Sequence, residues 1–316
     1  MKQAEKEESK QKEETKIKRN DSKSVRNKLM KILVAKDAGY CFGVRDAVNL
    51  AKKSGTDFNE VYMLGDIVHN EKVVADLNKK GSKVVNRLED IPKDKPVLFR
   101  AHGTDPETWK AAQKKKLNII DATCPLVTEI HEEIKILESE NRRTIIIGDH
   151  NHDEVAGIAA QVKRPIIISN VEEAKLLGKM KRAGVVSQST QMIENVQEIL
   201  NVLSEKVYDL RFINTICFPT RRNHEQIKEL ADICDLMIVI GSFTSANSKR
   251  LTQLSLDRNK NSYQVTCSQE LEESWFYDIK SVGISAGAST PDELIHDVIN
   301  KVKTFSKIKV KEKIYE

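Results

Sequence analysis

From residue 31 onward, apolar runs of four or five residues alternate with longer stretches in which apolar positions recur every three or four residues. The first pattern is that of buried strands, the second that of helices packed on one face. The runs Val61–Leu64, Thr144–Ile147 and Leu236–Ile240 each end in a glycine and a polar loop: Gly65 to Asn70, Gly148 to Glu154 and Gly241 to Asn247. A second series, Val97–Phe99, Gly184–Val186 and Val282–Ser285, leads into Arg100 to Thr104, Ser187 to Thr190 and Ala286 to Thr290. Helices are expected next, over Pro106 to Lys116, Ile193 to Leu203 and Pro291 to Val302. The last opens on Thr290-Pro291-Asp292-Glu293, a capping hydroxyl with proline at the first helical position and acids in the first turn.

These segments are three copies of one plan. Closing strands at Asn118–Asp121 and Arg211–Asn214 run into Cys124 and Cys217, and a helix follows each cysteine, Val127 to Leu137 and His224 to Ile233. The third copy has no closing strand after its last helix. One stands at the other end of the chain instead, Lys31–Ala35, feeding Cys41 and the helix Val44 to Lys53. The repeat is therefore circular, which predicts that the first strand docks with the third unit. Strands alternating with helices imply mostly parallel sheets with right-handed crossovers, and ligands then gather beyond the carboxyl ends of the strands. The expected fold class is α/β, with three small pseudo-threefold-related domains facing one centre. The boundaries are a disordered charged tail over 1–30, a strand segment 31–41 docking with the third domain, domains at 42–124, 125–216 and 217–305, and a C-terminal tail at 306–316.

Composition changes this picture little. A chain of 316 residues with 31% charged and 5% aromatic residues has room for a sizeable core and suits a cytoplasmic enzyme. The net charge of +5 is local: residues 1–30 hold ten Lys/Arg against six Asp/Glu, so the rest of the chain is nearly neutral and no nucleic-acid partner is expected. That tail lacks an apolar stretch of the secretory type. No run of eighteen apolar residues occurs, so no membrane span is expected either. Five cysteines without a CxxC pair fit free thiols or metal ligands in a reducing compartment.

Cys41, Cys124 and Cys217 arrive in phase with the repeat, 83 and 93 residues apart. Three thiolates delivered to one centre suit zinc or an iron–sulfur cluster. Structural zinc sites use closely spaced cysteine pairs, which are absent. His131 and His224, each seven residues past a cysteine, stand about 10 Å along a helix from it, too far to complete a shared ion. Wide separation favours a cubane, and three ligands leave one iron free as a Lewis acid. His69, His102, His152, Ser189, Ser245, Asn247 and Ser289 converge in the polar loops as an anion-binding inventory aided by helix N-termini. Glu154 stands among these donors, where desolvation would raise its pKa and suit it to donate a proton. Cys234 and Cys267 fall outside the set and read as core or half-buried thiols.

The segments Ala38-Gly39-Tyr40-Cys41-Phe42-Gly43-Val44, Val68-His69-Asn70, Ala101-His102-Gly103, Asp121-Ala122-Thr123-Cys124-Pro125, His152-Asp153-Glu154, Ser187-Gln188-Ser189-Thr190, Thr215-Ile216-Cys217, Ser245-Ala246-Asn247-Ser248 and Ala286-Gly287-Ala288-Ser289-Thr290-Pro291 resemble, in order, those of the 4-hydroxy-3-methylbut-2-enyl diphosphate reductase family. The resemblance spans residues 31 to about 303. It implies a trefoil around a [4Fe–4S] cluster held by Cys41, Cys124 and Cys217. The implied reaction is a two-electron, two-proton dehydroxylation giving isopentenyl and dimethylallyl diphosphates. It further implies a diphosphate held by His69, His102, His152, Ser245, Asn247 and Ser289, protons supplied by Glu154, and Ser189 and Gln188 near the substrate hydroxyl. A ferredoxin or flavodoxin is the implied electron donor, for which Lys114-Lys115-Lys116, Arg142-Arg143 or Arg221-Arg222 offer docking charge. Two positions depart from the family: Ser189 replaces its usual threonine, and Ala246 stands where a serine is common, with Ser248 a candidate substitute. The competing readings are a three-cysteine zinc protein and a non-catalytic diphosphate-binding module.

Overall fold

The structure is a computed structural model that describes residues 30–305 and 311–315. The expected disordered tail lies outside the described residues except for Met30, which is buried. In chain order the first elements are β1 (Lys31–Ala35), α1 (Phe42–Phe58), β2 (Val61–Leu64), α2 (Glu71–Lys79), β3 (Ser82–Val85), β4 (Pro96–Phe99), α3 (Pro106–Lys114) and β5 (Asn118–Asp121). The second series is α4 (Pro125–Ser139), β6 (Arg143–Ile147), α5 (Asp153–Ala159), β7 (Ile166–Ile168), α6 (Val171–Leu176), β8 (Met180–Ser187), α7 (Ile193–Lys206) and β9 (Val207–Phe212). The third is α8 (Phe218–Ile233), β10 (Leu236–Ile240), α9 (Ala246–Leu256), β11 (Ser262–Val265), β12 (Ser281–Ala286), α10 (Asp292–Phe305) and β13 (Lys311–Tyr315).

Three parallel sheets result, ordered β3-β2-β4-β5, β7-β6-β8-β9 and β11-β10-β12-β1-β13. β1 takes in the third sheet the place that β5 and β9 take in the first two, with Ile32 opposite Val282 and Val34 opposite Ile284. The circular closure expected from sequence is thus present. Strands covered on both faces need continuous apolar runs, and every residue of β10 is buried, as is every residue of β6 after Arg143.

The structure also departs from the expectation. The edge strands β3 and β11 carry little apolar signal and β7, though all isoleucine, is only three residues long, so none stands out, and β9 begins at Val207, four residues before the expected Arg211. The stretch 306–316, expected as a tail, contains β13, which pairs in parallel with β1 from Lys31↔Lys311 to Ala35↔Tyr315. Its sequence Lys311-Glu312-Lys313-Ile314-Tyr315 is polar because β13 lies at a sheet edge, with β1 on one side only.

Beside the stacked rings of Phe42 and Phe218, several polar contacts join the units. Arg100 at the end of β4 pairs with Asp153 at 2.6 Å. Glu71 at the start of α2 accepts hydrogen bonds from Ser242 at 2.8 Å and Thr244 at 2.9 Å. Arg250 on α9 pairs with Asp149 at 2.7 Å, and Lys228 on α8 pairs with Glu194 on α7.

Candidate active site: three thiols and an anion cradle

Cys41, Cys124 and Cys217 are the N-cap residues of α1, α4 and α8, helices of 17, 15 and 16 residues. None uses its side chain to cap the helix, so each thiol is free to face the cavity at the positive end of a helix dipole. The backbone ties them into the repeat: Cys124 N–H donates to the Ala101 carbonyl at 3.0 Å, and Cys217 N–H to the Ser189 carbonyl at 3.0 Å. Near Cys41 the corresponding bond runs from Gly39 N–H to the Ala286 carbonyl at 3.3 Å. Each thiol is therefore pinned to the loop after the second strand of a copy.

Gly43 shows how closely the first two thiol-bearing turns approach. A Cβ there would lie 2.4 Å from the Cys124 Sγ. Burial raises the pKa of all three thiols, that of Cys217 to about 12, although Thr220 Oγ1 lies 2.9 Å from its sulfur. A bound cation would reverse that shift. Among the described residues these thiols do not form a set with ligand atoms all within 4.8 Å of one another. One tetrahedral zinc with bonds of about 2.3 Å would hold sulfurs about 3.8 Å apart, so this spacing does not favour the zinc reading. Soft donors more widely spaced suit a larger iron–sulfur centre.

The same cavity is lined by His69, His102, His152, Glu154, Ser189, Ser245, Asn247 and Ser289. The rings of His69 and His102 stack with centroids 4.4 Å apart, and His152 meets them edge-on at 5.3 and 5.8 Å. Burial lowers the pKa of all three, that of His152 to about 4 and that of His102 well below the ordinary range. His152 caps α5 by accepting the Glu154 N–H on Nδ1 at 3.2 Å, which leaves Nε2 as the protonated donor of the neutral ring. His69 Nε2, His102 Nδ1 and both side-chain polar atoms of Asn247 are buried without a partner. Orphaned donors at this density point to a polar ligand. Among the described residues, the one set of His and Asp ligand atoms within 4.8 Å is His69, His102 and Asp153, but Arg100 already holds the Asp153 carboxylate.

Glu154 is 2% exposed. Its Oε1 accepts the Ser189 N–H at 2.6 Å and its Oε2 the Ser189 hydroxyl at 2.8 Å. Burial still raises its pKa against these bonds.

Other residues fall elsewhere. Gln188 is buried outside the cavity, its Oε1 accepting Asp149 N–H at 3.0 Å and its Nε2 donating to Thr190 Oγ1 at 3.1 Å. Ser248 is wedged beneath Gly241 and Gly287, where added Cβ atoms would lie 2.2 and 2.1 Å from its Oγ. It therefore does not substitute for a serine at 246, whereas Ala246 itself lines the cavity. Thr190 and Thr220 are cavity residues that were not singled out from sequence. Thr220 was readable as the third residue after Cys217, one helical turn on. His131 and His224 are buried within α4 and α8. Of the basic clusters, Arg142 is engaged by Glu140 and Asp209, Lys115 by the Leu88 carbonyl and Arg222 by Asp37. Arg142-Arg143 also lies at the amino end of β6, opposite the end that faces the site.

Fold and site together define an α/β protein that brings three thiols and a group of imidazole, hydroxyl, amide and carboxyl side chains into one cavity. The family model described as LytB protein matches residues 32–303, and the chain belongs to this family. It is 38% identical over 277 residues to the 4-hydroxy-3-methylbut-2-enyl diphosphate reductase of Geobacter sulfurreducens, covering 87% of this chain and 98% of that protein. It is 37% identical over 280 residues to the enzyme of the same name from Aquifex aeolicus, covering 87% and 96%. Among solved structures it superposes on the E-1-hydroxy-2-methyl-but-2-enyl-4-diphosphate reductase of Plasmodium falciparum with a TM-score of 0.85 at 28% identity, covering 92% and 93% of the two chains. A solved structure of (E)-4-hydroxy-3-methyl-but-2-enyl diphosphate reductase gives a TM-score of 0.67 at 37% identity, covering 87% of this chain and all of that one.

Proposed function

We propose that this chain is an oxidoreductase that reduces 4-hydroxy-3-methylbut-2-enyl diphosphate, replacing the allylic hydroxyl by hydrogen. Two electrons and two protons enter, the C–O bond breaks, and water leaves with isopentenyl or dimethylallyl diphosphate. The observation that carries this reading is the meeting of three thiols and an anion cradle in one cavity of a LytB-family chain.

Cys41, Cys124 and Cys217 would hold a [4Fe–4S] cluster, which when bound supplies electrons and a Lewis-acidic iron. His69, His102, His152, Ser245, Asn247 and Ser289 bind the diphosphate. The three imidazoles are kept neutral by burial when no anion is present, and a diphosphate reverses that balance by favouring their protonated forms. Binding is therefore coupled to proton uptake at the histidines. Glu154, whose buried carboxyl keeps its proton more readily than an exposed one, when protonated donates to the Ser189 Oγ across the same 2.8 Å contact, and the Ser189 hydroxyl passes its own proton to the departing oxygen. Val44, Val68, Leu126 and Val127 form the apolar part of the wall and exclude bulk water from that transfer. The electrons come from a separate carrier of the ferredoxin or flavodoxin kind, and a reducing cytoplasm suits the free thiols.

Anaerobic purification followed by iron, acid-labile sulfide and EPR analysis tests the centre, and reductive turnover of the diphosphate substrate tests the reaction. Zinc without sulfide, or a loaded cluster that does not turn the substrate over, would overturn the reading.

A further inference from the structure

Arg250 stands one turn into α9, three residues after Asn247. Its side chain is 12% exposed and does not line the cavity. The guanidinium reaches from the third unit to two loops of the second. Its NH2 donates to both carboxylate oxygens of Asp149 at 2.7 and 2.8 Å, and its NH1 donates to Thr190 Oγ1 at 3.0 Å. Gln188 closes the ring, accepting from the Asp149 backbone N–H and donating to the same Thr190 oxygen. Asp149 begins the loop that carries His152 and Glu154, and Thr190 follows Ser189. One side chain thus ties the helix bearing Asn247 to both members of the Glu154–Ser189 pair. Several hydrogen bonds from one rigid planar group fix relative orientation in a way a flexible ammonium does not.

We propose that Arg250 is a positioning residue that transmits occupancy of the anion cradle at the N-terminus of α9 to the loops holding Glu154 and Ser189. This deepens the reductase reading and rests on it for the kinetic consequence. An anion drawn onto Asn247 and Ser245 orders the start of α9, and the Arg250 fork carries that order to residues 149–154 and 187–190. The chemistry of alignment is then separated from the chemistry of binding.

The test uses the anaerobically purified, cluster-loaded full chain with inorganic diphosphate as probe. In the parent protein, hydrogen exchange should show diphosphate protecting 187–190, which carries no diphosphate ligand, as well as 245–250. In Arg250→Gln the protection at 245–250 should persist while that at 187–190 is lost. Affinity for inorganic diphosphate should stay within about threefold and kcat should fall by at least about tenfold. Arg250→Lys, which keeps the charge without the fork, should restore only part of kcat. Asp149→Asn, altering the more exposed partner, should reproduce the Arg250→Gln pattern and safeguards the test if that variant folds poorly. Unchanged protection at 187–190 in both variants overturns the proposal, as does loss of diphosphate binding in folded protein. If the parent chain shows the protection pattern but does not reduce the substrate, the reductase reading fails and the coupling stands.

Discussion

Glu154 grips Ser189 through both carboxylate oxygens, taking its backbone N–H at 2.6 Å and its hydroxyl at 2.8 Å. Glu154 opens the helix after β6 and Ser189 lies in the loop after β8, and they meet because those strands are neighbours. Among the described residues the pair is the one place in the cavity wall where a buried carboxyl and a hydroxyl share a hydrogen bond. Replacing Glu154 by Gln keeps the shape and an acceptor but removes the acid. Turnover should fall at least about 100-fold, in line with the loss of general-acid catalysis, while iron content, sulfide content and inorganic-diphosphate affinity stay as in the parent. Steady-state reduction assays beside metal analysis check this, and a fully active variant removes Glu154 from the proton path.

Gly43 allows the Cys124 thiol to approach α1. Because a Cβ would sit 2.4 Å from that sulfur, Gly43→Ala must displace the thiol or the helix start. The variant should fold, since the clash is local, yet retain no more than about half the parent's iron after reconstitution, because packed interiors do not absorb a misplaced atom freely. Iron and sulfide per chain provide the measurement; full loading with an unaltered EPR signal would contradict it.

Ala246 lines the cavity, and Ser248 is committed elsewhere. A hydroxyl introduced at 246 would meet the diphosphate directly. A hydrogen bond to a charged group contributes about 1.5–3 kcal/mol, so Ala246→Ser should bind substrate about tenfold more tightly or better. Equilibrium binding of the substrate to parent and variant decides the matter, and equal affinities sink the idea.

Stability should fall in mild acid for a reason separate from catalysis. Burial holds His131 and His224 at a pKa of about 4, whereas in an unfolded chain each takes its proton below about 6.5. Between those values the unfolded state binds more protons, so stability declines as pH drops through this window and is insensitive to these groups above it. Urea unfolding at about pH 7 and about pH 5 should show the decline, and His131→Gln should shallow it by up to about 1.4 kcal/mol per pH unit. An identical pH slope in parent and variant would show that His131 is protonated in the folded state.

The sequence by itself determined the alternation of strand and helix, the circular repeat, the three cysteines that open helices, and the histidines, serines and acid that gather at the strand ends. These are local signals: apolar period, glycine at a strand end, a cysteine before a helical stretch. Tertiary structure decided what depends on neighbours far along the chain. The edge strands β3, β11 and β13 are set by pairing rather than by their own composition, so β13 reads as a polar tail until β1 lies beside it. Gln188 and Ser189 are adjacent in sequence just past the end of β8, yet one braces Asp149 and the other faces the cavity. Ser248 and Ala246 divide in the same way between helix packing and cavity wall. Arg250 carries no motif of its own, and its role exists only because the second and third units meet at Asp149.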